Sequence, residues 1–271
     1  MNPDFLQLSL LAFIQGLTEF LPISSSAHLQ LPALLFNWPD QGLAFDIAVH
    51  LGTLIAVVVY FRRDLFQLIT ASLVQLSGEG TSDQDKANAK MMSFLLVASI
   101  PAGVSGLLLY DFIAVYGRNA ELIAAMSILF ALLMWWVDRR GNQSLAMEDW
   151  NLQRVIFVGC AQALALIPGT SRSGVTMTAA LLCGFSREAA SRFSFLLAIP
   201  IIAGSGLLLT LQLISADIQT VPWVQLVYGA ALACAVAMLC IHYFLKLIAR
   251  MGFLPFVIYR VLLGVIIIVL L

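Results

Sequence analysis

The chain is poor in charge. Of its 271 residues only 11% are Asp, Glu, Lys or Arg, against about a quarter in an ordinary soluble domain. No Lys or Arg occurs before Arg62. No segment is long and polar enough to form a second, soluble domain. The formal net charge of −1 gives no argument for nucleic acid, and no nucleic-acid partner is expected. Cysteine is sparse too: Cys160, Cys183, Cys234 and Cys240 lie in apolar stretches and form no CxxC pair. They are expected to be small buried hydrophobes rather than redox or metal groups. The opening "MNPDFLQLSL" lacks a basic region and carries Asp4, so it is expected to be mature structure rather than a cleaved signal.

Hydrocarbon is what the chain has in plenty. It is 61% hydrophobic, with a mean hydropathy of +0.95. Apolar runs of roughly 18 or more residues, long enough to cross a bilayer as helix, recur throughout. The expected fold is therefore an all-α, multi-pass membrane protein forming a single domain over 1–271. Six stretches read as spans: 44–61, 91–110, 118–137, 187–211, 222–244 and 253–271. Two more regions, 5–36 and 153–184, are apolar but broken, by "LPISSSAH" (21–28) and "IPGTSRSG" (167–174). Proline interrupts a helix ladder, and Ser and Thr then offer the backbone local partners.

Basic residues set the sidedness. They cluster at Arg62, Arg63, Lys86 and Lys90; at Arg139, Arg140 and Arg154; and at Lys246 and Arg250. These loops are expected inside, and the connections 37–43, 111–118 and 212–221, with Arg118 as their one basic residue, outside. Parity then requires 153–184 to enter and leave from the inside and 5–36 from the outside. The reading is six transmembrane helices plus two re-entrant hairpins, arranged as inverted repeats of about 1–137 and 138–271. The repeat echo is faint: Pro22 and Pro168 each precede a Ser by three, Ser25 and Ser171. The similar strings "SIPAGVSGLLL" and "AIPIIAGSGLLL" fall in non-equivalent spans and carry no weight for the repeat. The stretch 77–90 reads as a polar loop, and Trp38, Trp135, Trp136, Trp150 and Trp223 as interfacial aromatics.

In such architectures the site forms where broken helices meet near mid-depth. "PGTSRSGVT" offers donors and positive charge only. Gly169 relaxes the backbone, a helix start supplies free N–H groups, and Ser171, Ser173 and Thr176 add hydroxyls. Arg172 adds a planar fork suited to phosphate. The first break carries the opposite chemistry. Glu19 lies inside an apolar run, where a carboxylate marks function by default. Gln15, four residues earlier, shares its helix face. His28 is a candidate general base or nucleophile. Ser24, Ser25 and Ser26 are candidate nucleophiles or phosphate donors. Arg260, deep in the last span, either pairs with an acid or helps hold phosphate. His50 reads equally as a satisfied core histidine. The set suits phosphoryl transfer or hydrolysis, where positioning and charge neutralisation dominate. A lipid or anion transporter or flippase, built on the same inverted repeats and alone or combined with hydrolysis, is the alternative.

"QGLTEFLPISSSAH" and "PGTSRSGVT" resemble the two signatures of the bacterial undecaprenyl-diphosphatase, or bacitracin-resistance protein, family. The resemblance extends over essentially the whole chain and includes "FRRDLF", "SREAASRFSFLLAIP" and "FLPFVIYR". It implies removal of the terminal phosphate of undecaprenyl diphosphate, a polyprenyl lipid, to recycle the carrier for cell-wall polymers. It further implies a multi-pass protein of the bacterial inner membrane whose site opens to the periplasm. A divalent cation, Mg²⁺ or Ca²⁺, is implied, with Glu19 as its ligand. The family pattern puts catalytic roles on Glu19, Ser25, His28 and Arg172. It puts substrate binding on Gln15, Ser171, Ser173 and Thr176, and the reading of the residues themselves adds Ser26, Gly169 and Arg260 as expected substrate contacts. Many relatives have Glu where this chain has Gln15, so Gln15 is read as positioning. A homodimer is left open.

Overall fold

The computed structural model describes residues 5–36, 38–39, 41–78, 82–109, 119–140, 143–215 and 223–270. Among these, regular structure is helical apart from one isolated bridge between Leu145 and Phe185. The expected outer connection 111–118, with Arg118, and most of 212–221 lie outside the described residues.

All six expected spans are helices: α3 (Leu43–Tyr60), α5 (Asp83–Leu108), α6 (Ala120–Arg140), α9 (Arg187–Ser215), α10 (Trp223–Met251) and α11 (Leu254–Leu270). Five of them are long and apolar enough to cross a membrane; α11 has 17 residues. The two broken regions are helix pairs. The first comprises α1 (Phe5–Thr18) and α2 (Ser25–Phe36). The second comprises α7 (Leu152–Ala163), a short 3₁₀ turn at Leu164–Leu166, and α8 (Arg172–Leu182). At 1.5 Å per residue, a 14-residue α1 is about 21 Å long, short of a ~30 Å hydrocarbon core.

The structure corrects four sequence expectations. First, Arg62–Ser77 forms a helix, α4, that hydropathy does not reveal because it buries only Leu68 and Ala71. The Arg192 guanidinium, bonded to Asp64, ties it to α9. Second, 77–90 is not all loop. Ser82 and Asp85 form a reciprocal capping box that starts α5 two turns before its apolar run. Third, Trp150 is not an interfacial ring. It is 3% exposed and stacked between Phe185 and Phe193, each 3.8 Å away by centroid. Trp135 and Trp136 do lie exposed, under Arg139 and Arg140. Fourth, only Cys240 of the free cysteines is buried; Cys160 is exposed and the other two are intermediate.

Helix pairing follows a reciprocal plan. The first arm of one hairpin, α1, packs on α10, and the first arm of the other, α7, packs on α5; α3 meets α9, and α6 meets α11. Both arms dock through glycine. A Cβ on Gly16 would sit 2.6 Å from the Ala233 carbonyl oxygen, and one on Gly159 would sit 2.7 Å from that of Ala98. Backbone therefore touches backbone at both crossings, as small residues allow in membrane helices. At the basic ends, Arg187 forms a bidentate pair with Asp138 at 2.7 and 3.1 Å. Asp138 also accepts from the Phe253 N–H. Arg187, through Asp138, is thus a clamp joining α6, α9 and the α10–α11 turn.

Candidate active site

Each hairpin turns at a serine in the left-handed region. Ser24 has φ 71° and Ser171 has φ 73°; among the described residues no other non-glycine has positive φ. That region is sparsely populated for side chains other than Asn, Asp or His, and it marks functional turns. Each serine immediately precedes the second helix of its hairpin. In backbone conformation and place before a helix, Ser24 is the residue that resembles Ser171, while Ser25 shares its spacing from proline. Helix starts leave N–H groups without intrahelical acceptors. One such group at α8 is met by the Ser171 hydroxyl, which accepts from the Gly174 N–H at 3.1 Å.

The two breaks touch. Glu19, one residue beyond α1, is 8% exposed. Its Oε1 accepts from Arg172 Nη2 at 3.0 Å. Its Oε2 accepts from Ser25 Oγ at 2.6 Å and from Gln15 Nε2 at 3.0 Å. Across the same gap Ser173 Oγ donates to the Leu21 carbonyl at 2.7 Å. Arg172 is steadied on its other side by the Ser194 carbonyl, 3.2 Å from Nη1. Phe20 packs edge-on to Phe195 of α9 at 5.2 Å.

A cavity of about 660 Å³ opens at this junction. Of the expected site residues, Glu19, Ser25, Ser26, Ser171 and Arg172 line it, with Ser24 and two residues not assigned from sequence, His50 and Gln162. His50 sits on α3 with Nε2 3.8 Å from Glu19 Oε2. Its Nδ1 is 2.7 Å from the Asp46 carbonyl. A carbonyl only accepts, so Nδ1 carries a hydrogen and Nε2 is the atom turned to the carboxylate. The helical period marks His50 as one face of α3, but not which helix that face meets. Gln162 lies three residues after Gly159, as Glu19 lies three after Gly16.

Other expected residues stand behind the cavity wall. His28 does not line it. Its Nδ1 donates to the Ser24 carbonyl at 2.7 Å, and its Nε2 accepts from the Tyr259 hydroxyl at 2.6 Å, with the rings stacked. Thr176 bonds Ser194 Oγ at 2.7 Å and holds the base of α8. Gln15 contacts Glu19 only from behind. Gly169 has φ 87°, and a Cβ there would lie 2.3 Å from the Ile123 carbonyl oxygen, so only glycine fits that turn. Arg260 is fully buried. Its Nη2 donates to the Gly169 and Thr170 carbonyls at 2.8 and 3.0 Å, and its Nη1 approaches the Pro22 carbonyl at 3.4 Å. One guanidinium thus binds the backbone of both breaks.

The cavity therefore holds a hydroxyl on a carboxylate, a guanidinium, an imidazole and a helix start. The donor set also fits a hard divalent cation. Such an ion needs one or two carboxylates and takes its other oxygens from water and substrate phosphate. Glu19 supplies the carboxylate beside the Ser25 hydroxyl. Among the described residues no cluster of three His, Cys, Asp or Glu adds to it.

Residues 8–266 match the family model "Bacitracin resistance protein BacA". The chain is 51% identical over 258 residues to an undecaprenyl-diphosphatase of Alteromonas mediterranea, covering 95% of each protein. It is 50% identical over 262 residues to undecaprenyl-diphosphatase 1 of Pseudoalteromonas translucida, covering 97% of each. A match over nearly the full length of this chain and of both relatives, with both broken-helix motifs inside residues 8–266, makes this chain a member of the BacA bacitracin resistance protein family.

Proposed function

We propose that the protein hydrolyses undecaprenyl diphosphate to undecaprenyl phosphate and inorganic phosphate in the bacterial inner membrane. This returns the lipid carrier to cell-wall polymer synthesis and confers resistance to bacitracin. The observation that carries the reading is the Ser25–Glu19–Arg172 chain of hydrogen bonds, at 2.6 and 3.0 Å, across the two breaks. It joins a nucleophile, a base and a phosphate fork at one point. The relatives' names agree with that chemistry.

The two hairpins are re-entrant and the halves are inverted repeats. The reciprocal docking of α1 on α10 and α7 on α5, and the matched serine turns, support this. The site opens outward. Its lining on α5 begins at Leu96 and on α9 at Pro200, away from the basic N-terminal ends at Lys86, Lys90, Arg187 and Arg192.

The reaction then runs as follows. The diphosphate enters between the breaks, and Arg172 turns its free donors to the terminal phosphate while Ser171 and the α8 start take other oxygens. Glu19 accepts the Ser25 proton as Ser25 Oγ forms a bond to the terminal phosphorus. The bridging P–O bond breaks, and undecaprenyl phosphate leaves with that oxygen. Glu19 passes that proton to the departing undecaprenyl phosphate and, ionised again, takes a proton from the water that attacks the Ser25 phosphoester; the bond from phosphorus to Ser25 Oγ breaks, Ser25 Oγ regains that proton, and inorganic phosphate leaves. Glu19 would hold a divalent cation, Mg²⁺ or Ca²⁺, which neutralises phosphate charge when bound. Gln15 keeps the Glu19 carboxylate aimed. His50 faces the same oxygen and stabilises the acquired proton. His28 is a positioning residue that holds α2 against Tyr259 of α11.

The test is phosphate release from undecaprenyl diphosphate in detergent micelles, with and without EDTA. Release that EDTA suppresses is expected; no release with any divalent cation would overturn the reading. His50→Ala is expected to lower kcat by about 100-fold, the low end of a general acid–base contribution. His28→Phe, which keeps the stacked ring, is expected to change kcat less than His50→Ala does. The reverse order would return the base role to His28.

A further inference from the structure

The two similar strings that the repeat does not explain face one another across the cavity. Pro101 in "SIPAGVSGLLL" lies on α5 and Pro200 in "AIPIIAGSGLLL" lies on α9. Beyond the polar junction most of the wall comes from these strings, with Gly103, Gly106 and Leu107 on one side and Gly204, Ser205 and Leu208 on the other, and Leu96, Ala165 and Leu166 complete it. The helices are not repeat partners, since α3 and α9 correspond in the proposed halves, as do α5 and α10. Shared ancestry of the halves therefore does not account for the likeness, but a shared task does.

The glycines show what that task is. A Cβ built on Gly103 or Gly204 meets nothing within 4 Å, and one on Gly106 meets only Leu166 at 3.8 Å. Elsewhere the chain uses glycine to bring helices together: the same construction at Gly52 comes 2.2 Å from the Ala230 carbonyl oxygen. Glycine inside a helix costs about 1 kcal/mol relative to alanine. At Gly103 and Gly204 no helix contact offsets that cost, so the space itself is the use. The channel they keep open is apolar and continuous with Arg172, Glu19 and Ser25. Where it meets the polar end, Gln162 is 1% exposed. Its Nε2 donates to the Ala98 carbonyl at 3.2 Å and its Oε1 has no partner. That buried acceptor asks for a donor at the headgroup end, which water or a protonated phosphate oxygen supplies.

We propose that the facing strings of α5 and α9 form a seat for the first isoprene units of the substrate, and that Gly103 and Gly204 set its width. The proposal rests on the phosphatase reading above. A ~150 Å³ cavity holds a six-carbon ring, so the cavity takes about two or three isoprene units beside a diphosphate. The rest of the chain stays in the bilayer. The seat selects a prenyl diphosphate by its head-proximal units and is indifferent to total length.

The test compares wild type, Gly103→Leu and Gly204→Leu on three substrates in one micelle system: dimethylallyl, farnesyl and undecaprenyl diphosphate. Leucine favours helix and meets no protein atom near its Cβ, so both variants are expected to fold with an unchanged thermal midpoint. Each is expected to raise KM for farnesyl and undecaprenyl diphosphate roughly tenfold, the worth of about two displaced methylenes. Turnover of dimethylallyl diphosphate, which has one unit to seat and no second or third, is expected to fall less than that of the two longer substrates. Equal loss on all three substrates, or no loss on any, would overturn the seat while leaving the phosphatase reading intact. Failure of wild type to hydrolyse any of them would overturn the phosphatase reading itself.

Discussion

Arg172→Ala is expected to reduce phosphate release by about 10³- to 10⁵-fold, the range for removing an arginine that stabilises phosphoryl transfer. The side chain is the one cation on the cavity wall among the described residues, and it is 13% exposed. It lies 3.0 Å from the Glu19 carboxylate, so the substitution also strands a buried charge. Removing one partner of a buried ion pair costs about 3–5 kcal/mol. Ser25 and Gln15 still bond Glu19 and reduce that cost. The variant is therefore expected to be folded but less heat-stable. The double variant Arg172→Ala/Glu19→Gln separates the two effects. It removes the stranded charge, so its thermal midpoint is expected to rise above that of Arg172→Ala while activity stays absent. Arg172→Lys keeps the charge but loses the planar fork and is expected to remain well below wild type. An active Arg172→Ala would remove the phosphate cradle from the mechanism.

Arg260→Met is expected to cut activity by more than about 100-fold without touching substrate, as when a distant change shifts reacting groups by ~1 Å. Arg260 is walled off from the cavity, yet it holds the carbonyls of Gly169, Thr170 and Pro22. A hydrogen bond to a charged group is worth about 1.5–3 kcal/mol. Freeing the guanidinium from burial offsets part of that loss, leaving a net cost of about 2–4 kcal/mol. The distinguishing readout is local. Amide hydrogen exchange is expected to speed up in 21–26 and 167–171, at both breaks together, and far less in α3 or α10. Arg260→Lys, which can reach fewer carbonyls, is expected to fall between. Loosening confined to one break would show that Arg260 does not couple the two.

Much of the site is legible in the amino-acid sequence. Glu19, Ser25, Ser171 and Arg172 announce themselves because polar groups in hydrocarbon need a reason. Their motif strings carry the family as well. The roles of His28, His50 and Arg260 are not legible there. His28 and His50 are each a single imidazole in an apolar helix, and nothing in either sequence neighbourhood tells cavity from wall. Arg260 reads from its depth as a partner for an acid or a phosphate ligand, but the carbonyls it serves lie 90 or more residues away. Helix α4 escapes notice because its apolar face is too narrow for a hydropathy signal.

The amino-acid sequence by itself determined the membrane class, the apolar helices, the two breaks and the polar residues placed at them. Those follow from local quantities: hydrocarbon content, run length, and the inability of proline to continue a helix. Only the tertiary structure decided which polar residues meet, which stand behind the wall, and that α5 and α9 share one apolar channel. Those are properties of helix docking, in which α1 settles on α10 and α7 on α5 through glycine contacts. Residues more than 150 positions apart then reach hydrogen-bond distance, and no local pattern encodes that distance.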